Sequence, residues 1–323
     1  MRALYYGTYD PEHPRNVNAI AALREAGVEV YERQASVRRT GVRGALSVFA
    51  AESRLLAPRH RNFDVLIVGY PGHFDVPRAR RLAGTKPLIF DAVLSLEDEL
   101  IAVRRRFRPR STAATMLRAV DLRALRLPDL VVSGTDAEAR FLQTLGARRV
   151  ASVFLGANEQ LYRHPWSPTY PFTAVHFASP HATDPSIDVV RTAAKLVEVP
   201  VRVVVPGEIA PDDLGIAVAH AGIVLASFRD SRAIPPPVFD ALATGAPVIT
   251  AGTDAARELL RDGESALLVP PNDPVALADA IRRLTEDEAL RRAIAERGRA
   301  LFLERASRPV LGRRWLDLVR SGA

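Results

Sequence analysis

Residues 232–271 read RAIPPPVFDALATGAPVITAGTDAARELLRDGESALLVPP, and the order of signals in them decides the fold. Pro235, Pro236 and Pro237 stand where a helix begins, because proline fits the first helical turn. VFDALAT continues that helix. Gly245 ends it, glycine being free to take the left-handed backbone of a helix stop. APVIT returns as a short apolar strand, and Gly252-Thr253-Asp254 caps the next helix. Asp262-Gly263-Glu264 turns the chain into a last strand, ALLV. Helix, strand, helix, strand in such short runs is the rhythm of a parallel sheet covered by helices.

The same rhythm extends in both directions. Strands are expected at Phe172–Phe177, Val201–Val205, Gly222–Ser227, Pro247–Thr250 and Ala266–Val269. Helices are expected near Asp184–Glu198, Asp212–His220, Pro237–Thr244, Asp254–Arg261, Pro274–Leu284 and Glu286–Glu304. An earlier set of strands falls at Arg2–Gly7, Val28–Glu32, Asp64–Gly69, Pro87–Asp91, Asp129–Ser133 and Val150–Phe154, with helices at Asn16–Ala26, Ser111–Arg126 and Asp136–Leu145. Between the two sets lies YRHPWSPTYPF, residues 162–172, where prolines interrupt helix and strand alike. The expectation is two doubly wound α/β domains, 1–165 and 166–305, facing a central cleft. A final helix within 306–323, carrying Val310, Leu311, Trp315, Leu316 and Val319 at helical spacing, packs back on the first domain.

Composition narrows the chemistry. The 323 residues suit two domains. The chain has no cysteine, which removes disulfides, thiolate metal sites and cysteine nucleophiles. MRALYYG reads as a buried strand and not as a signal peptide, and no apolar run is long enough to span a membrane. The expected location is cytoplasmic, with peripheral contact to the inner face of the membrane left open. The net charge of +7 is mostly arginine, concentrated at Arg104, Arg105, Arg106, Arg108 and Arg110 and at Arg291, Arg292, Arg313 and Arg314. A solvated surface accounts for this, and so does a face for anionic lipid or an acidic acceptor. No aromatic-interleaved basic stripe accompanies it, so nucleic acid is not expected. Neither a glycine-rich dinucleotide fingerprint nor a phosphate-loop lysine is present, and no metal-ligand spacing occurs.

In doubly wound sheets ligands gather outside the carboxyl ends of the strands. The start of the helix at Pro235 offers a place for phosphate, and Asp240, a turn further on, is placed to accept hydrogen bonds from ribose hydroxyls. In the amino half, the loop Gly7-Thr8-Tyr9 and the following Arg15-Asn16 occupy the matching position. Gly7 allows either a close backbone approach or a plain turn. His73, in YPGHFD, and Asp91, ending PLIFD, also follow apolar strands. His73 suits an acid/base or a structural loop histidine equally. Tyr162, Trp166, Tyr170 and Phe172 are read as packing anchors at the domain junction before a sugar-stacking platform.

The stretch from Arg232 through ALATGAPV to DGESALLVPPNDPVALADAI resembles the donor-site half of family 4 glycosyltransferases, the group 1 enzymes. PLIFDAVLS, PDLVVSGTDAEARFL and VFLGANEQLYR resemble the family's amino half more weakly. The resemblance implies a GT-B fold and transfer of a sugar from a nucleoside-diphosphate donor to an acceptor hydroxyl or amine. It further implies retention at the anomeric carbon, with neither metal nor cofactor. With it the donor is expected against Ser179, His181, Arg229, Pro235, Pro236, Pro237, Val238 and Asp240, while position after the first strand puts the acceptor and cleft at Gly7, Thr8, Tyr9, Arg15 and Asn16, with Asn158 where the family commonly has aspartate. Catalytic roles are expected of His73 and Asp91 from their place after apolar strands, and of Arg232 from its place in the motif; the family's usual histidine past Asp91 is not carried over, since Val93 and Leu94 stand there. The acceptor is a small molecule, a glycan or a lipid-linked group.

Departures from the family pattern are specific. The family's first acid is Arg232 here, and its second is shortened to Asp240. The loop after Phe177 reads Ala178-Ser179-Pro180-His181, without the usual arginine and lysine. Either Arg229 or Arg232 replaces the lost cation, with a guanidinium fork suited to phosphate, or Arg232 is a surface charge and nothing more. The alternatives are a sugar-nucleotide epimerase of the same fold and a GT-B partner protein that no longer turns over. The donor's base and sugar are not readable.

Overall fold

A computed structural model describes residues 1–35, 62–103, 107–159, 162–178, 186–205, 208–210 and 213–322. The chain divides into two compact units, Met1–Phe154 with Leu311–Ala323, and Leu155–Val310. Each unit is a parallel sheet with helices on both faces.

In unit 1 the chain runs β1 (Arg2–Gly7), α1 (Pro14–Glu25), β2 (Glu29–Gln34), β3 (Val65–Val68), α2 (Val76–Ala83) and β4 (Leu88–Val93). It continues through a short helical stretch, Leu96–Asp98 then Glu99–Val103, to α3 (Thr112–Arg126), β5 (Leu130–Ser133), α4 (Asp136–Thr144) and β6 (Val150–Ser152). The six strands are all parallel and lie in the order β2-β1-β3-β4-β5-β6. VLIV of β3 is buried on both faces, which is why its apolar run does not alternate. One face packs Tyr5, Leu23, Ile67, Ile89 and Val132. The other packs Leu4, Leu66, Phe90, Val131 and Leu142.

Unit 2 contains β7 (Ala174–Phe177), α5 (Ser186–Ala194), β8 (Val201–Val204), α6 (Leu214–His220), β9 (Ile223–Leu225), α7 (Pro236–Thr244) and β10 (Val248–Ala251). After these come α8 (Asp254–Leu259), β11 (Leu267–Val269), α9 (Pro274–Glu286) and α10 (Glu288–Arg305). Its parallel strands lie in the order β11-β10-β9-β7-β8. The strand order reverses direction between β7 and β9 here, and between β1 and β3 in unit 1. Those are the points where such sheets open a crevice for ligands.

The last helix, α11 (Arg308–Gly322), contributes Leu311, Trp315, Leu318 and Val319 to the core of unit 1. The proline-rich stretch read as a linker runs along unit 2. Trp166, Ser167 and Thr169 donate backbone hydrogen bonds to the carbonyls of Thr244, Ala219 and His220, and the Trp166 indole N–H donates to Ala221. Those bonds place the stretch inside unit 2. Two helices escaped the sequence reading: α2, which opens at Val76-Pro77, and the stretch after Ser95. Arg104, Arg105 and Arg106 lie outside the described residues; Arg108 and Arg110 are exposed. Among the described residues no helix is long and apolar enough to cross a membrane.

Candidate functional site

Unit 2 holds an open concavity of about 110 Å³ at the carboxyl ends of β9 and β10. Its lining comes from the loop after β9, the start of α7, the end of β10 and the start of α8. Four residues bring hydroxyls: Ser227, Ser231, Thr250 and Thr253. Ala233, Ile234, Pro235, Pro236, Ala251 and Ala256 make the rest of the wall apolar, and among the described residues Arg229 is the single charged group in the lining.

Local chemistry shapes this wall. Ser231 accepts a hydrogen bond from the Ala233 N–H at 3.1 Å and folds the loop before the prolines. Thr253 caps α8 by accepting from the Ala256 N–H at 3.1 Å, and Thr250 donates to the Ser227 carbonyl at 3.1 Å. Gly245 stops α7 with φ of +77°, a left-handed turn that brings the chain back into β10.

The start of α7 differs from the anion site expected of a helix amino terminus. The cap and the first two helical positions are Pro235, Pro236 and Pro237, which have no N–H, and the Val238 N–H is used on the Pro235 carbonyl at 3.0 Å. The prolines that make the helix start legible also take away its amide donors. Among the described residues, positive charge in the lining therefore rests on Arg229. Its backbone N–H approaches Ser227 Oγ at 3.5 Å, and among the described residues its guanidinium makes no hydrogen bond or ion pair.

The other expected donor residues divide. Pro235 and Pro236 line the concavity, while Val238 is fully buried and presents nothing to a ligand. Arg232 and Pro237 are partly exposed but outside the lining. Ser179 and His181 lie outside the described residues. Asp240 is half-buried. Burial is the larger influence on its carboxyl and pushes its pKa up to about 7, while a hydrogen bond from the Tyr162 phenol pulls it down. The sequence reading passed over Ser227, Thr250 and Thr253, although two of them end expected strands. Position at a strand's carboxyl end was the usable signal.

In unit 1 the expected acceptor and catalytic residues are taken up in holding loops together, and several expectations give way. Asp91 is fully buried, and both its oxygens accept from Arg15, whose Nε lies 3.0 and 2.8 Å and whose Nη2 lies 2.7 Å away. Arg15 is itself 2% exposed and also donates to the Val153 and Phe154 carbonyls. Neither group reaches solvent, so the pair braces the sheet and is not placed to meet an acceptor. Asn16, fully buried, accepts from Tyr5 and from the Tyr70 N–H and donates to the Tyr70 carbonyl.

Gly7 has a structural cause: with φ of +133°, a Cβ there would sit 2.8 Å from Asp75 Oδ2. That carboxylate accepts from the Thr8 N–H and hydroxyl at 2.8 and 2.9 Å. The Tyr9 ring is buried, and its hydroxyl donates to Glu32. Asn158 belongs to unit 2, and its carbonyl accepts from the Tyr162 N–H.

His73 is buried, with Nε2 3.2 Å from the Leu94 carbonyl and 3.6 Å from Asp121. Burial lowers its pKa, against the opposing pull of Asp121 and Leu94, so the ring stays neutral. A carbonyl only accepts, so Nε2 carries the hydrogen. The imidazole thus holds the turn after β4, where Val93 sits at φ of +61°, an outlier for a β-branched residue. Asp121 holds the same turn through Ser95 and the Leu96 and Glu97 N–H groups. With no surface for a substrate, His73 is a brace for this turn.

Comparison with known proteins bears on unit 2 first. Residues 181–287 match the family described as "Glycosyl transferases group 1". That segment contains the whole lining of the concavity. An exopolysaccharide phosphotransferase (SCO2592) of Streptomyces coelicolor is 40% identical over 80 residues, 24% of this chain and 8% of that protein. A phosphatidyl-myo-inositol mannosyltransferase of Mycobacterium leprae is 48% identical over 52 residues, 16% of this chain and 14% of that one. The matched stretches therefore span only small parts of these relatives.

Among solved structures, the sucrose-phosphate synthase of Thermosynechococcus elongatus superposes with a TM-score of 0.78 at 16% identity, covering 99% of this chain and 98% of its own. Anabaena Alr3699/HepE, solved with UDP-glucose, gives 0.68 at 16% identity over 99% and 100%. The fold is GT-B, two Rossmann-like domains, and the resemblance to group 1 glycosyltransferases read from ALATGAPV and DGESALLVPP holds.

Proposed function

We propose that this chain transfers a sugar from a nucleoside-diphosphate donor to an acceptor hydroxyl or amine, with retention and without a metal. The carrying observation is the concavity within the group 1 segment: four hydroxyl side chains, and one guanidinium without a partner among the described residues, at the carboxyl ends of two parallel strands. A full-length structural neighbour solved with UDP-glucose supports a donor of that class.

In the reaction the bond from the anomeric carbon to the diphosphate oxygen breaks, and the acceptor oxygen or nitrogen bonds to the same face. The acceptor's proton passes to the departing phosphate oxygen. The diphosphate gains negative charge as the bond breaks, and a fixed cation beside it lowers that barrier. Arg229 is the residue assigned to this role. The prolines of α7 give the transferred group an apolar wall in place of amide donors.

Titration calorimetry with UDP, GDP, ADP and dTDP and their sugars tests the reading. One of these is expected to bind, with Arg229→Ala weakening it by about 10- to 100-fold, the scale of a charge-assisted hydrogen bond. Turnover is expected to survive EDTA, and the anomeric proton coupling of the product reports retention. No binding of any nucleoside diphosphate to wild type would sink the proposal.

A further inference from the structure

In unit 1, β3 and β4 are neighbouring strands, and the connections that leave their carboxyl ends both show large apolar side chains to solvent. The loop after β3 presents Phe74, 55% exposed. The residues on either side of it are buried and bonded. His73 is held at the Leu94 carbonyl, and Asp75 accepts from the Thr8 N–H and hydroxyl. The ring is thus held outward on a fixed loop. The connection after β4 reaches Phe107, 39% exposed, and then a turn in which the Ser111 N–H donates to the Arg108 carbonyl at 3.3 Å. Ser111 caps α3 by accepting from the Ala114 N–H at 3.2 Å. Because β4 and β5 are parallel, α3 starts at the carboxyl end of the sheet and runs back along it. Met116, one turn inside that start, is 66% exposed. The helix turns Ala114, Asp121, Ala124 and Leu125 inward, which leaves Met116 and Arg118 on its outer side.

Three arginines stand among these apolar side chains. Arg108, Arg110 and Arg118 are exposed, and among the described residues their guanidinium groups make no hydrogen bond or ion pair. Arg24 and Arg80 of the same unit instead pair with Glu32 and Asp129. The acids near the patch are engaged or turned away. Asp121, the one acid on α3, is buried and accepts from Ser95 and from the Leu96 and Glu97 N–H groups. Glu97, Asp98 and Glu99 are half-buried, and Asp136, after β5, is bonded to Ser152. The exposed Asp10 and Glu12 follow β1, on the far side of β3 from β4. The β4 side of this rim is therefore cationic and apolar together.

We propose that this rim of unit 1 seats the protein on an anionic phospholipid bilayer. Phe74, Phe107 and Met116 enter the headgroup layer, and Arg108, Arg110 and Arg118 meet lipid phosphates. Apolar side chains interleaved with unpaired cations are the composition of a surface that lies in a membrane interface. A guanidinium fork matches a phosphate bidentately. Met116 gains free energy by leaving water for the acyl boundary and gains none from a sugar-phosphate backbone, which favours a bilayer over nucleic acid. Docking here brings membrane-carried acceptors to the end of the sheet where ligands of such folds bind. The inference stands apart from the donor reading, whose concavity lies in unit 2.

The experiment is co-sedimentation of the full chain with vesicles of phosphatidylcholine alone, or of phosphatidylcholine and phosphatidylglycerol in equal parts, at about 0.05 M and about 0.5 M salt. Wild type is expected to bind the anionic vesicles about tenfold or more tightly than the zwitterionic ones, and to be released as salt rises. Arg108→Gln with Arg110→Gln should weaken binding about 25-fold, near fivefold for each charge removed from the surface. Phe74→Ser with Met116→Ser should weaken it about tenfold or more and leave its salt dependence unchanged. Melting temperatures show that both variants are folded, and a parallel titration with nucleoside diphosphates follows the donor site separately. Failure of wild type to bind anionic vesicles overturns the inference and leaves the donor reading standing. Full retention of binding by either folded double variant does the same. So does random-sequence DNA bound as tightly as the vesicles, with Phe74→Ser and Met116→Ser without effect on it.

Discussion

Asp91 ends a strand of a parallel sheet, the position from which a side chain ordinarily meets a ligand, yet Arg15 encloses it. The two charges are 0% and 2% exposed, and their bidentate geometry offsets a desolvation that either one alone would suffer. Removing a single partner is therefore worse than removing both. Asp91→Ala is expected to cost about 3 to 5 kcal/mol in a urea titration, and Asp91→Leu with Arg15→Met to recover much of that. A single mutant as stable as wild type would contradict the assignment. Asp240 gives the opposite case. Its folded pKa of about 7 lies above its unfolded one, so the folded state holds an extra proton in the interval between them. Stability contributed by that proton is lost as pH rises toward 7. Asp240→Asn should thus raise the melting temperature more at about pH 8 than at about pH 4, where both chains carry a neutral group. None of this was legible in the sequence. His73, Asp91 and Arg15 were visible as polar residues after apolar strands, but whether such a residue faces a ligand or another loop depends on contacts more than fifty residues away, such as Arg15 with Asp91 and Thr8 with Asp75.

Elements were far more readable than side-chain partners. The strand Arg2–Gly7 and the helix ending at Thr244 coincide with their expected bounds to within a residue, because each carries a local stop: glycine as the strand's last residue, glycine after the helix. The helix α2 was missed because Asp75-Val76-Pro77 offers a weak start and Arg78, Arg80 and Arg81 obscure its apolar face. At α7 the signal was read correctly and its consequence was not. Three prolines announce a helix start and also strip it of the N–H groups that make helix starts bind anions. Restoring one tests this directly. Pro236→Ala places an amide at the first helical position and is expected to tighten nucleoside-diphosphate binding by about 2- to 5-fold, the scale of a helix-end charge interaction. Calorimetry with the same nucleotide that responds to Arg229→Ala provides the check, and unchanged affinity would place the phosphate away from α7.

For the whole molecule, the doubled strand order is the feature that the alternation of β and α signals foreshadowed, and the helix at the carboxyl terminus is where long-range packing decides. Its apolar residues repeat at helical spacing, which shows that it buries a face. The core of unit 1 shows where Leu311, Trp315, Leu318 and Val319 go, against Ala3, Leu23 and Ile89. Gly312 lets the helix backbone come close, since a Cβ there would stand 2.6 Å from the Ala22 carbonyl oxygen on α1. Burying a large apolar side chain contributes about 1.5 to 3 kcal/mol. The four together approach the entire stability of a typical domain, about 5 to 15 kcal/mol. A chain ending before Leu311 should therefore lose the cooperative unfolding of unit 1 while unit 2, whose core draws on none of these residues, keeps its own. Scanning calorimetry distinguishes the outcomes: an early or missing transition for unit 1 with nucleotide-dependent melting of unit 2 retained is expected. Retention of both transitions would mean that the first sheet closes its core without the helix. Because the concavity lies wholly in unit 2, the truncated chain should still bind nucleotide through Arg229 while losing transfer, which separates donor binding from catalysis within one polypeptide.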